Sequence, residues 1–128
     1  MNRIVSTGAC LGALAVILGA FGAHALRDVL SEKGLALWET AVRYHFYHAL
    51  AILFVGIVYD RLPVARLRWS SSLFVAGFIL FCGSLYALAF REVTSVPLGW
   101  LGPITPLGGL CFILAWLLLA FSIKRHGQ

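Results

Sequence analysis

Histidine, tyrosine, arginine and glutamate crowd into one short stretch of the chain, residues 39–50, which reads Glu-Thr-Ala-Val-Arg-Tyr-His-Phe-Tyr-His-Ala-Leu. The stretch runs directly into an apolar segment that ends at Tyr59, so a helix starting here carries His45 and His48 below a membrane surface. An imidazole in hydrocarbon is costly unless it has a hydrogen-bond partner or a ligand. The two histidines therefore need a partner, which is either structural or functional.

A metal ion is the first ligand to consider. His45 and His48 are three residues apart and can present their imidazoles together, with His24 as a third ligand. A catalytic zinc ion takes three protein ligands and keeps one position open. The stretch has no HExxH pattern, no cysteine ligand and no carboxylate on the same helix face, so we predict no metal and no cofactor. A proton relay is also disfavoured, because the next polar side chain below His48 on that face is Tyr59.

Helical geometry separates the charged residues of this stretch from the histidines. At about 100° per residue, one face of the helix carries both histidines together with tyrosines and aliphatic residues: Ala41, Tyr44, His45, His48, Ile52, Val55 and Tyr59. Glu39 and Arg43 lie on the opposite face, four residues apart in the favourable order, which predicts a local ion pair of a few tenths of a kcal/mol. In the alternative, the pair faces the bundle and is a functional candidate.

The elements that must position these residues are membrane helices. The chain has 128 residues, of which 61% are hydrophobic and 12% charged, with a mean hydropathy of +0.92. Three uncharged runs reach the ~20 residues that cross a bilayer, and a fourth does so when it is counted back to Ala41. The sequence predicts an all-α, four-transmembrane-helix bundle forming a single integral membrane domain, residues 1–128. The predicted helices cover residues 4–26, 35–59, 69–90 and 106–123.

Local signals mark where these helices begin. Ser31 is placed as an N-cap ahead of the second helix, and Pro63 closes its far end. Trp69 is expected to open the third helix at the membrane interface. Thr105 as N-cap and Pro106 as first helical residue predict the start of the fourth.

Basic residues predict the orientation. Six fall on the side of the termini and the short middle loop, and four on the other side, which favours both termini in the cytoplasm of a multi-pass protein of the cytoplasmic (inner) membrane. The net charge of +5 is explained by this bias and by attraction to lipid headgroups, so no nucleic-acid partner is expected.

Small residues recur at helical spacing and predict close packing between helices. The first helix carries a seam of them and the third helix carries two more: Gly8, Gly12, Ala15, Gly19, Gly22, Gly77 and Gly83. The neighbour is either another helix of this chain or another subunit. The expected partners are therefore the lipid bilayer and, through such faces, further copies of the chain or other membrane proteins.

Threading the chain with cytoplasmic termini brings several polar side chains to the outer half of the membrane. They form a candidate pocket for a lipid or small polar ligand: His24, Tyr44, His45, His48, Ser84, Tyr86 and Thr105. The alternative is ordinary interfacial placement with hydrogen bonds inside the bundle. Ser84 lacks a GxSxG context, so nucleophilic catalysis is not favoured.

Four segments carry a family resemblance: Gly-Ala-Phe-Gly-Ala-His at 19–24, Thr-Ala-Val-Arg-Tyr-His-Phe-Tyr-His-Ala-Leu at 40–50, Gly-Ser-Leu-Tyr at 83–86 and Gly-Pro-Ile-Thr-Pro-Leu-Gly-Gly at 102–109. They resemble the signature segments of the YgdD/YwdK-like small inner-membrane proteins, a family of unknown function with eukaryotic relatives. The resemblance implies a bacterial cytoplasmic-membrane protein with four helices, and no activity. Where the family pattern begins with serine this chain has Cys82, which argues against an essential hydroxyl there.

The functional expectation is a multi-pass membrane protein that is not an enzyme, that self-associates or serves a larger complex, and that offers an outer-leaflet pocket. One alternative is a subunit of a small oligomeric transporter or channel. Another is a metal- or haem-dependent membrane enzyme.

Overall fold

The computed structural model describes residues 2–124, and every regular element in that range is helical. Four helices are long and apolar enough to span a membrane. They are α1 (Asn2–His24), α2 (Glu32–Val58), α3 (Val64–Leu88) and α4 (Ile104–Lys124). A short 3₁₀ turn, Gly99–Leu101, interrupts the segment between α3 and α4. The predicted four-helix membrane fold is confirmed.

The helices begin earlier than the uncharged runs suggested. Ser31 caps α2, where its Oγ accepts a 3.0 Å hydrogen bond from the N–H of Gly34, as predicted. α3 starts at Val64 directly after Pro63, not at Trp69. α4 starts at Ile104, so Thr105 lies inside the helix and is not its N-cap. α2, α3 and α4 begin early for the same reason, because a helix keeps its hydrogen bonds beyond the hydrocarbon. A proline in the first turn, such as Pro106, is tolerated because the N–H that it lacks would have no partner there.

The helices pack antiparallel to their neighbours in the chain. α1 lies along α2, and α3 lies along α4, with α2 also in contact with α3. α2 buries the largest share of its length and α1 the smallest. The main apolar core lies between α2, α3 and α4, and its members are Ala51, Ile52, Val55, Leu67, Phe74, Cys82, Phe112, Ala115 and Leu119. This arrangement makes α2 the central helix and leaves α1 at the periphery.

One turn of α3, Phe78–Cys82, is a π-helix. At its end the N–H of Gly83 donates to the carbonyl of Phe78, five residues back. The turn therefore absorbs one extra residue, and the buried face of α3 passes from Gly77 to Cys82 in a step of five. Beyond it, the sequence is rotated by about 100° relative to a regular α-helix. This rotation decides which side chains of the last turns of α3 face α2 and α4.

The two longer connections, residues 25–31 and 89–103, lie at the same end of the bundle, which we call the long-loop end. There α1 and α3 end and α2 and α4 begin. A second apolar cluster holds this end together: Leu26, Leu30, Trp38 and Ala89. Because Leu26 and Leu30 come from the first connection and Ala89 from just after α3, the cluster fixes both connections against α2.

Candidate functional site

His48 lies near the middle of the bundle, and both of its ring nitrogens are engaged. Nδ1 lies 2.6 Å from the carbonyl oxygen of Tyr44, and Nε2 lies 3.3 Å from the indole nitrogen of Trp116. A carbonyl only accepts and an indole N–H only donates, so the imidazole is neutral and carries its proton on Nδ1. The ring also stacks on Phe112, with centroids 3.5 Å apart and planes inclined by 5°. His48 thus links α2 to α4 and has no free nitrogen for a metal.

His45 lies on the neighbouring part of the same face and links α2 to α3. Its Nδ1 is 2.9 Å from the hydroxyl oxygen of Tyr86, and its ring packs against Phe78 with centroids 4.5 Å apart. The side chain is 1% exposed, and its Nε2 has no polar atom in hydrogen-bond geometry. The backbone carbonyl of Leu11 in α1 lies close to this ring. His45 therefore sits where three helices meet.

Ser84 and Thr105 form a third polar pair, between α3 and α4. Their hydroxyl oxygens are 2.7 Å apart, and the Ser84 hydroxyl also lies 3.0 Å from the carbonyl oxygen of Phe81. Thr105 contributes to this pair because it lies one residue inside α4. The pair therefore ties the start of α4 to the end of α3 beyond the π turn.

The remaining two predicted ligand residues lie on the outside of the bundle. Tyr44 is 38% exposed, and its ring packs against Phe81 at a centroid distance of 4.7 Å. His24 is exposed at the last residue of α1. The structure thus brings six of the seven predicted residues to the long-loop half of the bundle and His48 to its middle, but it does not join the seven in one pocket: His45 pairs with Tyr86 and Ser84 with Thr105. None of the seven lines the cavities described below.

Within residues 2–124, no three histidine, cysteine or acidic side chains come close enough to hold a metal ion. The buried polar residues His45, His48 and Ser84 each make a hydrogen bond to another helix. Polar pairs of this kind hold helices together in lipid, where apolar contacts provide little driving force for association.

Two further interhelical hydrogen bonds come from residues that the sequence reasoning did not assign to them. The indole N–H of Trp38 in α2 donates to the carbonyl of Leu18 in α1 at 2.9 Å. The buried hydroxyl of Ser70 in α3 donates to the carbonyl of Ala115 in α4 at 2.8 Å. Their helix faces could have indicated these bonds, because residues seven apart lie on the same face of a helix. Trp38 is seven residues before His45, and Ser70 is seven residues before Gly77.

Several of the predicted packing residues lie against a neighbouring helix. A Cβ added to Gly8 would lie 2.8 Å from Leu53 of α2, and one added to Gly77 would lie 2.5 Å from Phe112 of α4. A Cβ added to Gly19 would likewise approach Val42 of α2, and one added to Gly22 would approach Trp38. Ala15 is 1% exposed and is therefore also packed inside the bundle. Gly12 and Gly83 face open space within the chain, so their role in packing stays a prediction.

Two cavities open at the long-loop end. One, of about 400 Å³, lies between the start of α2 and the connection after α3, and its charged residues are Lys33, Arg91 and Glu92. The other, of about 300 Å³, lies between α1 and α2, and we call it the α1–α2 cleft. It is lined by Gly19, Gly22, Ala23, Leu35, Trp38, Glu39, Val42 and Arg43. A third, of about 280 Å³, follows one face of the first turns of α3.

The α1–α2 cleft combines apolar walls with two opposite charges. Its floor includes the buried ring of Trp38, and α1 contributes only glycine and alanine to its lining. Glu39 and Arg43 are both exposed on the α2 wall. The structure thus puts the pair on the cleft and away from the bundle core, and the ion pair between them stays a prediction. Sequence reasoning found the two charges but not the cleft, since its walls come from both helices.

Comparison with known proteins gives a consistent picture. The family model described as "Protein of unknown function (DUF423)" matches residues 18–109. The UPF0382 membrane protein YwdK of Bacillus subtilis is 40% identical over 127 residues, covering 98% of this chain and 99% of its own length. The UPF0382 membrane protein SSP2132 of Staphylococcus saprophyticus is 40% identical over 122 residues, covering 95% of this chain and 97% of its own.

The UPF0382 membrane protein SAB0533 of Staphylococcus aureus is 39% identical over 122 residues, covering 95% of both chains. No solved structure matches the chain. The resemblance drawn from the four segments is therefore confirmed over nearly the whole length. With its four membrane-spanning helices and its match to both the family model and these relatives, the chain belongs to the DUF423 (UPF0382) family of membrane proteins of unknown function.

Proposed function

We propose that this protein is a phospholipid-binding membrane protein without enzymatic activity, and that the α1–α2 cleft holds the lipid. The observation that carries the proposal is the position of Arg43, a guanidinium on the edge of a cleft that is otherwise mostly apolar. Arginine pairs with phosphate through two parallel hydrogen bonds, and the apolar walls suit the upper part of an acyl chain.

The hydrogen bonds of His48 and of the Ser84–Thr105 pair support the choice of this cleft over the pocket expected from the sequence. His48 uses both ring nitrogens within the bundle, and the hydroxyls of Ser84 and Thr105 bond to each other. A ligand that bound to these groups would have to break hydrogen bonds that already join helices. The α1–α2 cleft needs no such rearrangement, because Glu39 and Arg43 are exposed.

Lipid retention tests the proposal. The wild type, Arg43→Gln and the matched control Arg27→Gln are purified in mild detergent, and phospholipid per protein is measured by native mass spectrometry. Arg27 is exposed in the connection after α1, at the same end of the bundle but outside the cleft lining. We expect Arg43→Gln to weaken retention about three- to tenfold, the range between an exposed ion pair and a hydrogen bond to a charged group. Equal retention in all three proteins would refute the proposal.

The same spectra report stoichiometry. Self-association remains part of the proposal, because α1 is the least buried helix and Gly12 on it faces open space. A transporter or channel subunit would require such an oligomer, since four helices enclose little space for a pore. A dimer that persists after the lipid is removed would support self-association, and a lipid-bearing monomer would contradict it.

A further inference from the structure

We infer that the α1–α2 cleft selects a phosphoethanolamine headgroup, with Arg43 binding the phosphate and Glu39 binding the ammonium group. This inference rests on the proposed function and specifies the class of lipid. It starts from the charges of the cleft: of the eight residues that line it, Glu39 is the one acid and Arg43 the one base. The cleft is therefore neutral overall and dipolar.

The depth of the two charges places them at the level of lipid headgroups. α2 has 27 residues, or about 40 Å at 1.5 Å per residue, which exceeds the ~30 Å hydrocarbon core by about 10 Å. Its charged residues are Glu32, Lys33, Glu39 and Arg43, all in the N-terminal half, whereas Tyr44 to Val58 is uncharged. The excess length, about seven residues, projects at the long-loop end, so Glu39 lies at the edge of the hydrocarbon. Arg43 lies about 6 Å below that edge, and its long side chain reaches up to the headgroup phosphates.

The order of the charges along α2 matches the order of groups in the headgroup. Arg43 lies about 6 Å deeper than Glu39, because four residues separate them along the helix axis. In a phosphoethanolamine lipid the phosphate connects the glycerol to the ethanolamine, so the phosphate is closer to the acyl chains than the ammonium is. A lipid seated in the cleft thus presents its phosphate to Arg43 and its ammonium to Glu39.

Other common headgroups satisfy only part of this arrangement. A phosphoglycerol headgroup gains the contact with Arg43 but offers no cation to Glu39, whose carboxylate repels its negative charge. A phosphocholine headgroup has a cation without N–H donors, so it forms no hydrogen bond to the carboxylate. Any ion pair between Glu39 and Arg43 in the empty cleft competes little, since exposed pairs of this spacing contribute only about 0.3–0.5 kcal/mol.

The decisive experiment is competitive lipid binding followed by native mass spectrometry. The full-length protein in detergent is titrated with an equimolar mixture of phosphatidylethanolamine and phosphatidylglycerol that carry identical acyl chains, and then with phosphatidylcholine in place of the glycerol lipid. We expect the wild type to bind the ethanolamine lipid about three- to tenfold more strongly than either competitor. Glu39→Gln should remove this preference while total lipid binding persists, and Arg43→Gln should reduce binding of all three lipids.

Two further variants act as controls. Glu32→Gln removes an acid from the first turn of α2, outside the cleft lining, and should retain the wild-type preference. The double exchange Glu39→Arg with Arg43→Glu keeps the net charge but reverses the order of the charges, and it should lose the ethanolamine preference. Circular dichroism checks that each variant keeps the helical content of the wild type.

The outcomes separate this inference from the proposed function. If Arg43→Gln binds lipid as well as the wild type does, the cleft is not a phospholipid site and both proposals fail. If Arg43→Gln loses lipid but Glu39→Gln keeps the wild-type preference, or if the wild type prefers the glycerol lipid, the headgroup assignment is wrong and the phospholipid site stands. A lipid-free dimer that masks Glu39 and Arg43 from chemical labelling would overturn both, since the cleft would then be a protein interface.

Discussion

The hydrogen bond between Trp116 and His48 offers a direct test of whether the buried histidine is structural. The perturbation is a double-mutant cycle of His48→Phe and Trp116→Phe. Phenylalanine at 48 keeps an aromatic ring against Phe112, where the imidazole now stacks at a centroid distance of 3.5 Å, but removes the acceptor. Phenylalanine at 116 keeps most of the apolar ring but removes the indole N–H that donates to Nε2 at 3.3 Å.

The magnitude follows from what each single variant leaves behind. Each single change leaves one polar group of the pair without a partner, which costs about 1–3 kcal/mol in a protein interior. The double variant removes both groups, so its cost should be less than the sum of the two single costs. Interhelical hydrogen bonds in membrane proteins couple by about 0.6 kcal/mol on average and 1.7 at most, and a 3.3 Å bond belongs near the average.

The assay is equilibrium unfolding in mixed micelles, with SDS as denaturant and circular dichroism as the signal. A parallel cycle of His48→Phe with Trp100→Phe supplies the control, since Trp100 is 65% exposed in the connection before α4. We expect a coupling of about 0.6 kcal/mol for Trp116 and zero for Trp100. Additive costs at Trp116, with no coupling, would refute the reasoning and leave His48 Nε2 free for another partner.

Three further predictions address packing, polar contacts and orientation. Gly77→Ala should destabilise the bundle by about 1–3 kcal/mol through overpacking against Phe112, whereas Gly12→Ala, which meets open space, should be neutral or slightly stabilising; thermal unfolding in detergent distinguishes the two. Ser70→Ala should cost about 0.6–1.7 kcal/mol because it removes the bond to the carbonyl of Ala115, and Ser72→Ala on the exposed side of α3 should cost less than 0.5 kcal/mol; equal losses in SDS unfolding would contradict this. Fusions at both termini should report a cytoplasmic location, with fluorescent protein active and alkaline phosphatase inactive at each end, and the opposite pattern would reverse the predicted orientation.

Much of the fold follows from local properties of the sequence. The length of the apolar runs predicted four spans, and the 100° rotation per residue predicted which face of α2 is buried. That face holds Ala41, His45, His48, Ile52 and Val55 in the structure, while Glu39, Arg43 and Phe46 are exposed opposite them. Tyr44, at the edge of the predicted face, is 38% exposed. These features depend on periodicity alone, so one helix could be analysed without its neighbours.

The π turn could not be predicted from α3 alone, because the contact that accompanies it lies in another helix. Gly108 of α4 packs directly against the backbone of Phe81 within the turn, and this approach exists only once α3 and α4 are together. The turn changes the phase of α3, which is why Tyr86 meets His45 and Ser84 meets Thr105.

The hydrogen-bond partners of the histidines could not be predicted from the neighbouring residues either. Trp116 is 68 residues from His48 in the chain, and a tryptophan on the apolar fourth helix gives no sign of a hydrogen bond to the second. The sequence showed that an imidazole in hydrocarbon needs a partner but did not show which one. The cleft was missed for a similar reason, since its walls come from two helices and its charges are on only one of them.

Each helix pairs with its neighbour in the chain, and this has a consequence for how the protein is made. α1 and α2 form one hairpin and α3 and α4 a second, so most contacts join segments that leave the ribosome in succession. Every residue that lines the α1–α2 cleft lies between Gly19 and Arg43, inside the first hairpin. The second hairpin packs against the cleft through Tyr86, whose ring contacts the ring of Trp38 edge-on at a centroid distance of 4.7 Å. The cleft is thus encoded in the first half of the chain, and the second half supplies its support.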